Sequence, residues 1–508
     1  MPRSFYEVVV VGGSLAALTT GALLARRGFR VAVIGHGARG DSYTHDGLAL
    51  RRGSAFAPWL EAPAFLRAMN ELALVPTVRR RAQTREVAWQ VVLPRHRLDV
   101  HVDPERRLAE LDREFPEVHR PVEDFYAALA RHHPLLDRTF GADVPWPPDG
   151  FFERRAVRRA STDHPFGADG LAGDILAEFA ADHPVRTVVD AQARFAGAHD
   201  PDRMTALART RLHAAGLRAC TLAEGGADGL RRVLEERIQQ HGGDVRTRER
   251  VERIGLKRGR VETITLAGSD EELGCGFVVT SLDAAAAQRL TGAPASRGYA
   301  ARMLGARPRY YRYALNVALP AEVLPVGMGP RVFAVADLKR PLAEENLLAV
   351  EYGAADAQGR VVLTACALLP RPAVEEGEVY MHRVRARVLQ ALESVVPFLD
   401  RHALVIDSPH DGLPLEDRAR AEPVPIEARW SGAAEPMESL DERPSDAFFG
   451  VGGLPMTGDI AGMLHVGRQM VPGIGEEGEF LAALTAAARI TRTDRGKERM
   501  RREIWREG

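Results

Sequence analysis

The sequence is poor in lysine, in cysteine and in long apolar runs, and each shortage narrows the class of protein. Its 68 basic residues include only three lysines, Lys257, Lys339 and Lys497, which indicates a coding bias toward arginine rather than an anion-binding adaptation. The three cysteines lie far apart without paired spacing. A disulfide scaffold and a zinc site are therefore not expected, and a reducing compartment is favoured.

Charge and hydropathy set further limits. The formal net charge is −1, so no overall electrostatic field favours nucleic acid, and no nucleic-acid partner is expected. The first valine run has four residues, and no apolar stretch reaches the ~18 residues of a membrane span. At 508 residues, the chain has the length of two or three domains. A cytoplasmic location is expected from the unpaired cysteines and the short first apolar run.

The N-terminal segment has the pattern of a βαβ unit. Residues 7–35 read EVVVVGGSLAALTTGALLARRGFRVAVIG, which predicts a buried strand, a tight turn, an apolar helix and a second strand. Such a unit places a pyrophosphate on the N-terminus of its helix. The cofactor-binding candidates in this unit are Gly12, Gly13, Ser14 and Ala17.

The dinucleotide fingerprint departs from its consensus at two positions. In G-x-G-x-x-G/A, Gly12 and Ala17 match, but Ser14 stands where the second glycine lets the backbone approach the pyrophosphate. The acid that ends the second strand and binds the ribose is missing, because Gly35 occupies its position. A Rossmann-type core that holds no nucleotide is therefore an open alternative.

Two further blocks accompany the βαβ unit. The middle block reads GGADGLRRVLEERIQQHGGDVRTRERVERI (225–254) and leads to a buried strand, FVVTS (277–281). The last block, MLHVGRQMVPGIGEEGEFLAALTAAARI (463–490), predicts a strand, a glycine-rich turn and an apolar helix. Between the blocks, residues 105–215 are mostly helical in pattern, and residues 309–368 alternate like antiparallel strands.

In this order, the three blocks resemble the FAD-dependent phytoene desaturase and flavin amine oxidase superfamily over nearly the whole chain. The resemblance implies an α/β fold with a discontinuous, Rossmann-like FAD-binding domain from residues 1–60, 220–300 and 445–508. A mixed helical and antiparallel-sheet substrate domain would come from residues 61–219 and 301–444. The resemblance also implies FAD as cofactor and hydride transfer from a small apolar, isoprenoid-like substrate to the flavin N5.

The resemblance assigns cofactor-binding residues in the later blocks as well. Val251 matches the position whose backbone holds the adenine, and Gly467 ends the last strand. The family usually has an acid after that glycine, whereas this chain has Arg468, which either pairs with the pyrophosphate or belongs to a site that has lost its cofactor. The turn that would point a helix N-terminus at the flavin contains Gly473, Gly475 and Gly478.

The sequence assigns no catalytic residue and no metal site. His132 and His133 are expected to be solvated, and Pro134 is expected to end their helix. The proline-rich stretch VPWPPDG (144–150) predicts a surface loop.

Two functional hypotheses follow from these patterns. The first is an FAD-dependent oxidoreductase, and the second is a non-catalytic protein that keeps the fold for binding or assembly after losing FAD. The basic C-terminal tail carries Met500, Ile504 and Trp505 at helical spacing. It predicts a solvated tail, a contact with a partner protein, or a contact with the inner face of a membrane.

Overall fold

The computed structural model describes residues 4–54, 59–161, 164–167, 169–222, 226–269, 271–293, 307–420, 422–425 and 434–507, with the side chains of 500 and 503–507 excepted. The strands are β1 (Ser4–Val11), β2 (Val31–Ile34), β3 (Ser42–His45), β4 (Leu48–Arg51), β5 (Ala82–Thr84), β6 (Val87–Leu93), β7 (His96–His101), β8 (Cys220–Leu222), β9 (Asp244–Arg246), β10 (Val251–Lys257), β11 (Arg260–Leu266), β12 (Glu272–Thr280), β13 (Pro308–Pro320), β14 (Arg331–Val335), β15 (Leu347–Tyr352), β16 (Arg360–Pro370), β17 (Val405–Asp407), β18 (Glu416–Asp417), β19 (Glu438–Asp441) and β20 (Met463–His465). The α-helices are α1 (Leu15–Arg26), α2 (Pro63–Glu71), α3 (Val75–Arg81), α4 (Pro104–Glu114), α5 (His119–Gly141), α6 (Phe151–Ala160), α7 (Pro184–Ala196), α8 (Ala206–Gly216), α9 (Gly226–Gln240), α10 (Ala284–Thr291), α11 (Arg371–Val374), α12 (Glu378–Leu392), α13 (Leu399–His402), α14 (Glu476–Thr491) and α15 (Arg495–Glu507).

The first sheet contains the predicted βαβ unit. Within the described residues it has seven strands, in the order β10-β11-β12-β1-β2-β9, and β20 pairs with the end of β12. β1 lies between β12 and β2, and all three run parallel, with Val8 opposite both Phe277 and Val31. Helices α1, α9 and α14 pack on one face, and residues of β10, β11 and α10 cover the other, which explains why the parallel strands are continuously apolar. The three blocks found in the sequence therefore meet in one sheet.

The second sheet is the mixed sheet of the other half of the molecule. It has nine strands in the described part of the chain, in the order β18-β17-β13-β16-β15-β14-β6-β7, and β19 pairs with β13. Helix α12 packs on one face, and helices α4, α5 and α7 pack on the other. Together the two sheets confirm the predicted α/β fold class, with the antiparallel strands expected between 309 and 368.

Two local predictions are wrong. Pro134 does not end its helix, because α5 continues through it to Gly141. The turn beyond the proline buries Leu136 and Phe140 in the core, and this burial offsets the ~3 kcal/mol that an interior proline costs. The 144–150 stretch is not a surface loop, because Trp146 is fully buried against Phe140.

The C-terminal tail forms the expected helix, α15. The side chains of Met500, Ile504 and Trp505, on which its predicted contact depends, lie outside the described residues. Among the helices that are described, none combines the length and the apolar character needed to cross a membrane.

Candidate functional site

The N-terminus of α1 is the point at which the fold would receive a pyrophosphate. Gly12 makes the turn before it with φ of 110°, and its N–H donates to the carbonyl of Ile34 at 2.9 Å. Ser14 caps the helix, and its Oγ accepts a hydrogen bond from the N–H of Ala17 at 3.2 Å. The N–H of Ala16 donates to Oε2 of Glu479 on α14 at 3.2 Å. Side chains of the protein itself therefore take two N–H groups that a bound anion would use.

Arg468, which follows β20 and Gly467, lies beside this helix end. Its Nη2 donates to Glu476 at 3.0 Å, its Nε donates to Glu479 at 3.1 Å, and its Nη1 contacts Glu438. Although its side chain is 34% exposed, Arg468 therefore offers no unbonded nitrogen of its guanidinium to a phosphate. It is the cation of an internal cluster with three glutamates.

The protonation of this cluster is set by burial and by the opposing charges. Burial disfavours the charged form of Arg468, but the carboxylates of Glu476 and Glu479 outweigh it, so the pKa of Arg468 is raised. Burial raises the pKa of Glu476 to about 7, against the effect of Arg468. With Glu438 also present, the cluster has no net positive charge to offer a pyrophosphate at neutral pH.

At the position that the resemblance gives to the adenine, a backbone N–H group is likewise hydrogen-bonded within the protein. The N–H of Val251, which the resemblance assigns to the adenine, donates to Nδ1 of His36 at 3.0 Å. Gly35 stands at the position of the ribose-binding acid, and a Cβ there would lie 2.0 Å from the carbonyl oxygen of Thr247. An acidic side chain therefore has no room at this position without a shift of the backbone.

The glycine-rich turn before α14 is explained by close packing. Gly475 has φ of 61°, and a Cβ on it would lie 2.0 Å from the carbonyl oxygen of Ala196. A Cβ on Gly473 would lie 2.5 Å from Cα of Val451. Gly13 and Gly478 are crowded too, with a Cβ meeting Ala38 at 2.6 Å and Val471 at 2.1 Å respectively. These glycines are needed for chain packing whether or not a cofactor is bound.

Two adjoining cavities form a cleft between the two sheets. One has a volume of about 340 Å³ and is lined by Ser14, Gly467 and Glu479 among others. The other has about 660 Å³ and extends from His36 to Gly475. Arg468 and Glu476 line both cavities and thus lie at their boundary. In the described part of the larger cavity, the charged residues are five arginines and five acids: Arg39, Arg52, Arg250, Arg312, Arg468, Asp41, Asp283, Glu435, Glu438 and Glu476.

A buried ion-pair network joins the first turn of α14 to helices α8 and α5. Glu477 accepts two hydrogen bonds from Arg211 of α8, at 2.6 and 2.7 Å, and both side chains are at most 4% exposed. Arg211 also bonds Asp137 on α5 at 2.5 Å, and His133 lies in the same network. Burial and the nearby arginines lower the pKa of His133 to about 3, so the prediction that His133 is solvated is wrong. Sequence reasoning also missed Glu477, because helix-start acids are common and their partners lie more than 250 residues away.

Comparisons with known proteins identify the fold. No protein-family model and no curated protein matches the sequence. Among solved structures, an oxidoreductase from Methanosarcina mazei is 15% identical, with a TM-score of 0.59, over 94% of this chain and 99% of that chain. A putrescine oxidase redesigned in its cofactor binding is 14% identical, with a TM-score of 0.57, over 99% of both chains. Cyclohexylamine oxidase from Brevibacterium oxydans is 14% identical, with a TM-score of 0.53, over 96% of this chain and 98% of that chain.

The chain therefore shares its overall fold with these solved oxidoreductase structures. The resemblance of the three sequence blocks implies FAD, and the described contacts test whether this chain suits it. The glycine turns and a cleft of sufficient volume remain. The Ala16 and Val251 N–H groups, however, are bonded within the protein, the ribose acid has no room, and Arg468 is enclosed by glutamates. In this arrangement the residues do not fit FAD in the pose that the resemblance implies.

Proposed function

We propose that this protein is a non-catalytic descendant of the flavin oxidoreductase fold, which binds a ligand or partner through the charged cleft and holds no FAD. The hydrogen bond from the Ala16 N–H to Glu479 carries this proposal, because it puts a buried carboxylate where FAD would put its pyrophosphate. A helix N-terminus that already holds an anionic group offers little to a second anion.

A bound pyrophosphate would lie close to the Glu479 carboxylate, which has the same sign of charge. Two unit charges 4 Å apart repel by about 4 kcal/mol at an effective dielectric constant of 20, so a dianionic pyrophosphate cannot share this site with Glu479. Moving Glu479 away would break its bonds to Ala16 and Arg468. Breaking a fully buried ion pair costs about 3–5 kcal/mol, and this pair costs less because the Arg468 side chain is 34% exposed. FAD binding would have to supply this free energy before it gained any affinity.

A second candidate is an FAD-dependent oxidoreductase that acts on a small apolar, isoprenoid-like substrate. The retained glycine turns and the cavity of about 660 Å³ favour it, because an open cavity of this volume is typical of a site for a cofactor or small-molecule substrate. In that case Glu479 and Arg468 would rearrange when the cofactor enters. A contact of the basic tail with a membrane face or partner protein remains a proposal with either candidate.

Thermal unfolding in excess FAD separates the two candidates. A ligand that binds only the folded state raises the melting temperature, so the wild type should show no rise under the first proposal. The double variant Arg468→Ala/Glu479→Ala removes the internal ion pair and should gain a rise with FAD. The matched control is Arg383→Ala/Glu376→Ala, an exposed ion pair remote from the cleft, which should behave as the wild type. A rise in the wild type supports the oxidoreductase, and no rise in the double variant contradicts Glu479 as the obstacle.

A further inference from the structure

A third cavity lies outside the cleft, and its lining is strongly basic. It has a volume of about 700 Å³ and lies between α3, the β5–β8 pair and the strands β14 and β15. Its described charged lining residues are five arginines and one glutamate: Arg51, Arg80, Arg81, Arg85, Arg331 and Glu351. The formal charge of this lining is +4, whereas the lining of the larger cleft cavity balances to zero and the whole chain is −1.

The single acid of this basic cavity is already bonded. Glu351 pairs with Arg331 at 3.2 Å and with Arg51 at 3.5 Å, and it accepts a hydrogen bond from Ser54 at 2.9 Å. Arg331 is buried, and its pKa is lowered by that burial and further by the charges of Arg51 and Arg85. Like charges are therefore crowded here beyond what Glu351 compensates.

The remaining arginines have no acidic partner in the described chain. Arg81 donates to the carbonyl of Gly229 at 3.1 Å. Neither Arg80 nor Arg85 forms an ion pair with any described residue, and both are exposed at the cavity. In the cleft, by contrast, Arg52 pairs closely with Glu435, at 2.6 Å.

Two ordinary explanations cover only part of this pattern. A coding bias explains arginine in place of lysine, but it does not explain the scarcity of acids in one concave surface. Basic residues are favourable in the last turn of a helix, which accounts for Arg80 and Arg81 in α3. It does not account for Arg51, Arg85 and Arg331, which reach the same cavity from other segments.

We infer that this basic cavity binds a small molecule that carries at least two adjacent negative charges, such as a diphosphate or a polycarboxylate. The guanidinium group forms bidentate, charge-assisted hydrogen bonds with phosphate and carboxylate oxygens. The volume is that of a small-molecule site, and a concave lining does not suit a flat membrane or a duplex. This site does not depend on whether the cleft holds FAD, because the basic cavity and the larger cleft cavity share no lining residue.

Calorimetric titration at fixed ionic strength tests the inference, with inorganic pyrophosphate and tricarballylate as probes. At least one of the two should bind the wild type, and the comparison identifies phosphate or carboxylate as the preferred group. Arg80→Ser/Arg85→Ser should weaken that binding by about tenfold or more, because two charge-assisted contacts are lost. The variant should keep the wild-type melting temperature, since neither side chain has a bonded partner among the residues that the structure describes.

Matched controls identify where the anion binds. Arg79→Ser removes a neighbouring exposed arginine of α3 that does not line the cavity, and binding should be unchanged. Arg468→Ala/Glu479→Ala alters the cleft and should not weaken this binding, even if the vacated helix N-terminus takes up pyrophosphate as a second site. The inference is overturned if neither anion binds the wild type, if Arg80→Ser/Arg85→Ser binds as tightly as the wild type, or if either control weakens binding equally.

Discussion

Oε2 of Glu479 lies 3.2 Å from the backbone nitrogen of Ala16, and this hydrogen bond joins helix α1 to helix α14. The resemblance places the pyrophosphate at the N-terminus of the first of these helices. The carboxylate therefore does for the helix N-terminus what a phosphate oxygen would do. Ser14 and Arg468 look like separate departures from the consensus in the sequence. In the structure they line the same cavity, where Glu479 bonds both Ala16 and Arg468.

The first prediction concerns this bond. Glu479→Ala leaves the Ala16 N–H without its partner and Arg468 without one of its carboxylates. We expect the free energy of unfolding to fall by about 1–3 kcal/mol, the cost of an unsatisfied buried group. Urea unfolding measures the change, and Glu376→Ala, at an exposed ion pair, should change stability by less than about 1 kcal/mol. Equal effects of the two substitutions would contradict a structural role for Glu479.

The second prediction concerns the missing ribose acid. A Cβ at position 35 would lie 2.0 Å from the carbonyl oxygen of Thr247, so Gly35→Ala should lower stability by about 1–3 kcal/mol and Gly35→Glu by more. The control is Gly353→Ala, where an added Cβ meets nothing within 4 Å. Thermal unfolding compares the three variants. A stable Gly35→Glu protein would mean that the acid can be restored and that the close approach of Thr247 is not a barrier.

The third prediction concerns the anchor of α14. Glu477→Gln leaves Arg211 buried with half of its charge partners, and breaking such a pair costs about 3–5 kcal/mol. The double variant Arg211→Met/Glu477→Leu removes both charges and should recover most of this loss, because apolar residues of similar volume replace buried ion pairs well. Chemical denaturation of the single and double variants checks the coupling. Additive losses would contradict a direct pair.

The fourth prediction concerns pH. His213 is fully buried among Trp89, Phe125 and Tyr126, and burial, helped by the charge of Arg107, lowers its pKa to about 3. An unfolded histidine has a pKa of about 6.5, so below that pH the unfolded state binds the extra proton. Stability is therefore complete above pH 6.5 and falls as the pH drops toward 3, by about 1.4 kcal/mol per pH unit.

The variant His213→Leu should reduce the pH dependence of the free energy of unfolding by about 1.4 kcal/mol per pH unit, which is the contribution of one proton. Denaturant unfolding at several values between pH 4 and pH 7 measures it. His402→Leu, at an exposed histidine, controls for the substitution itself. An unchanged slope in His213→Leu would mean that His213 does not take up a proton on unfolding.

The elements that were predicted well are those with local or periodic signals. The Val8–Val11 strand and the antiparallel strands follow from the hydrophobic pattern. The order of the three blocks was enough to identify the fold.

The contacts that decide the site could not be read from the sequence, because their partners are distant. Glu479 and Ala16 are 463 residues apart, and a glutamate near a helix start has an ordinary local explanation. The crowding of Gly35 by Thr247 depends on how β9 ends beside β2. The domain boundaries, the apolar substrate and the role of the C-terminal tail stay predictions.

The most direct test of whether the protein holds FAD is the visible absorption spectrum of the purified wild-type protein, followed by the spectrum of the supernatant after denaturation. If Glu479 occupies the pyrophosphate position, the protein should be colourless and should release no flavin. Yellow protein that releases FAD in an amount close to one per chain would contradict this conclusion, and it would mean that Glu479 leaves the helix N-terminus when the cofactor is present.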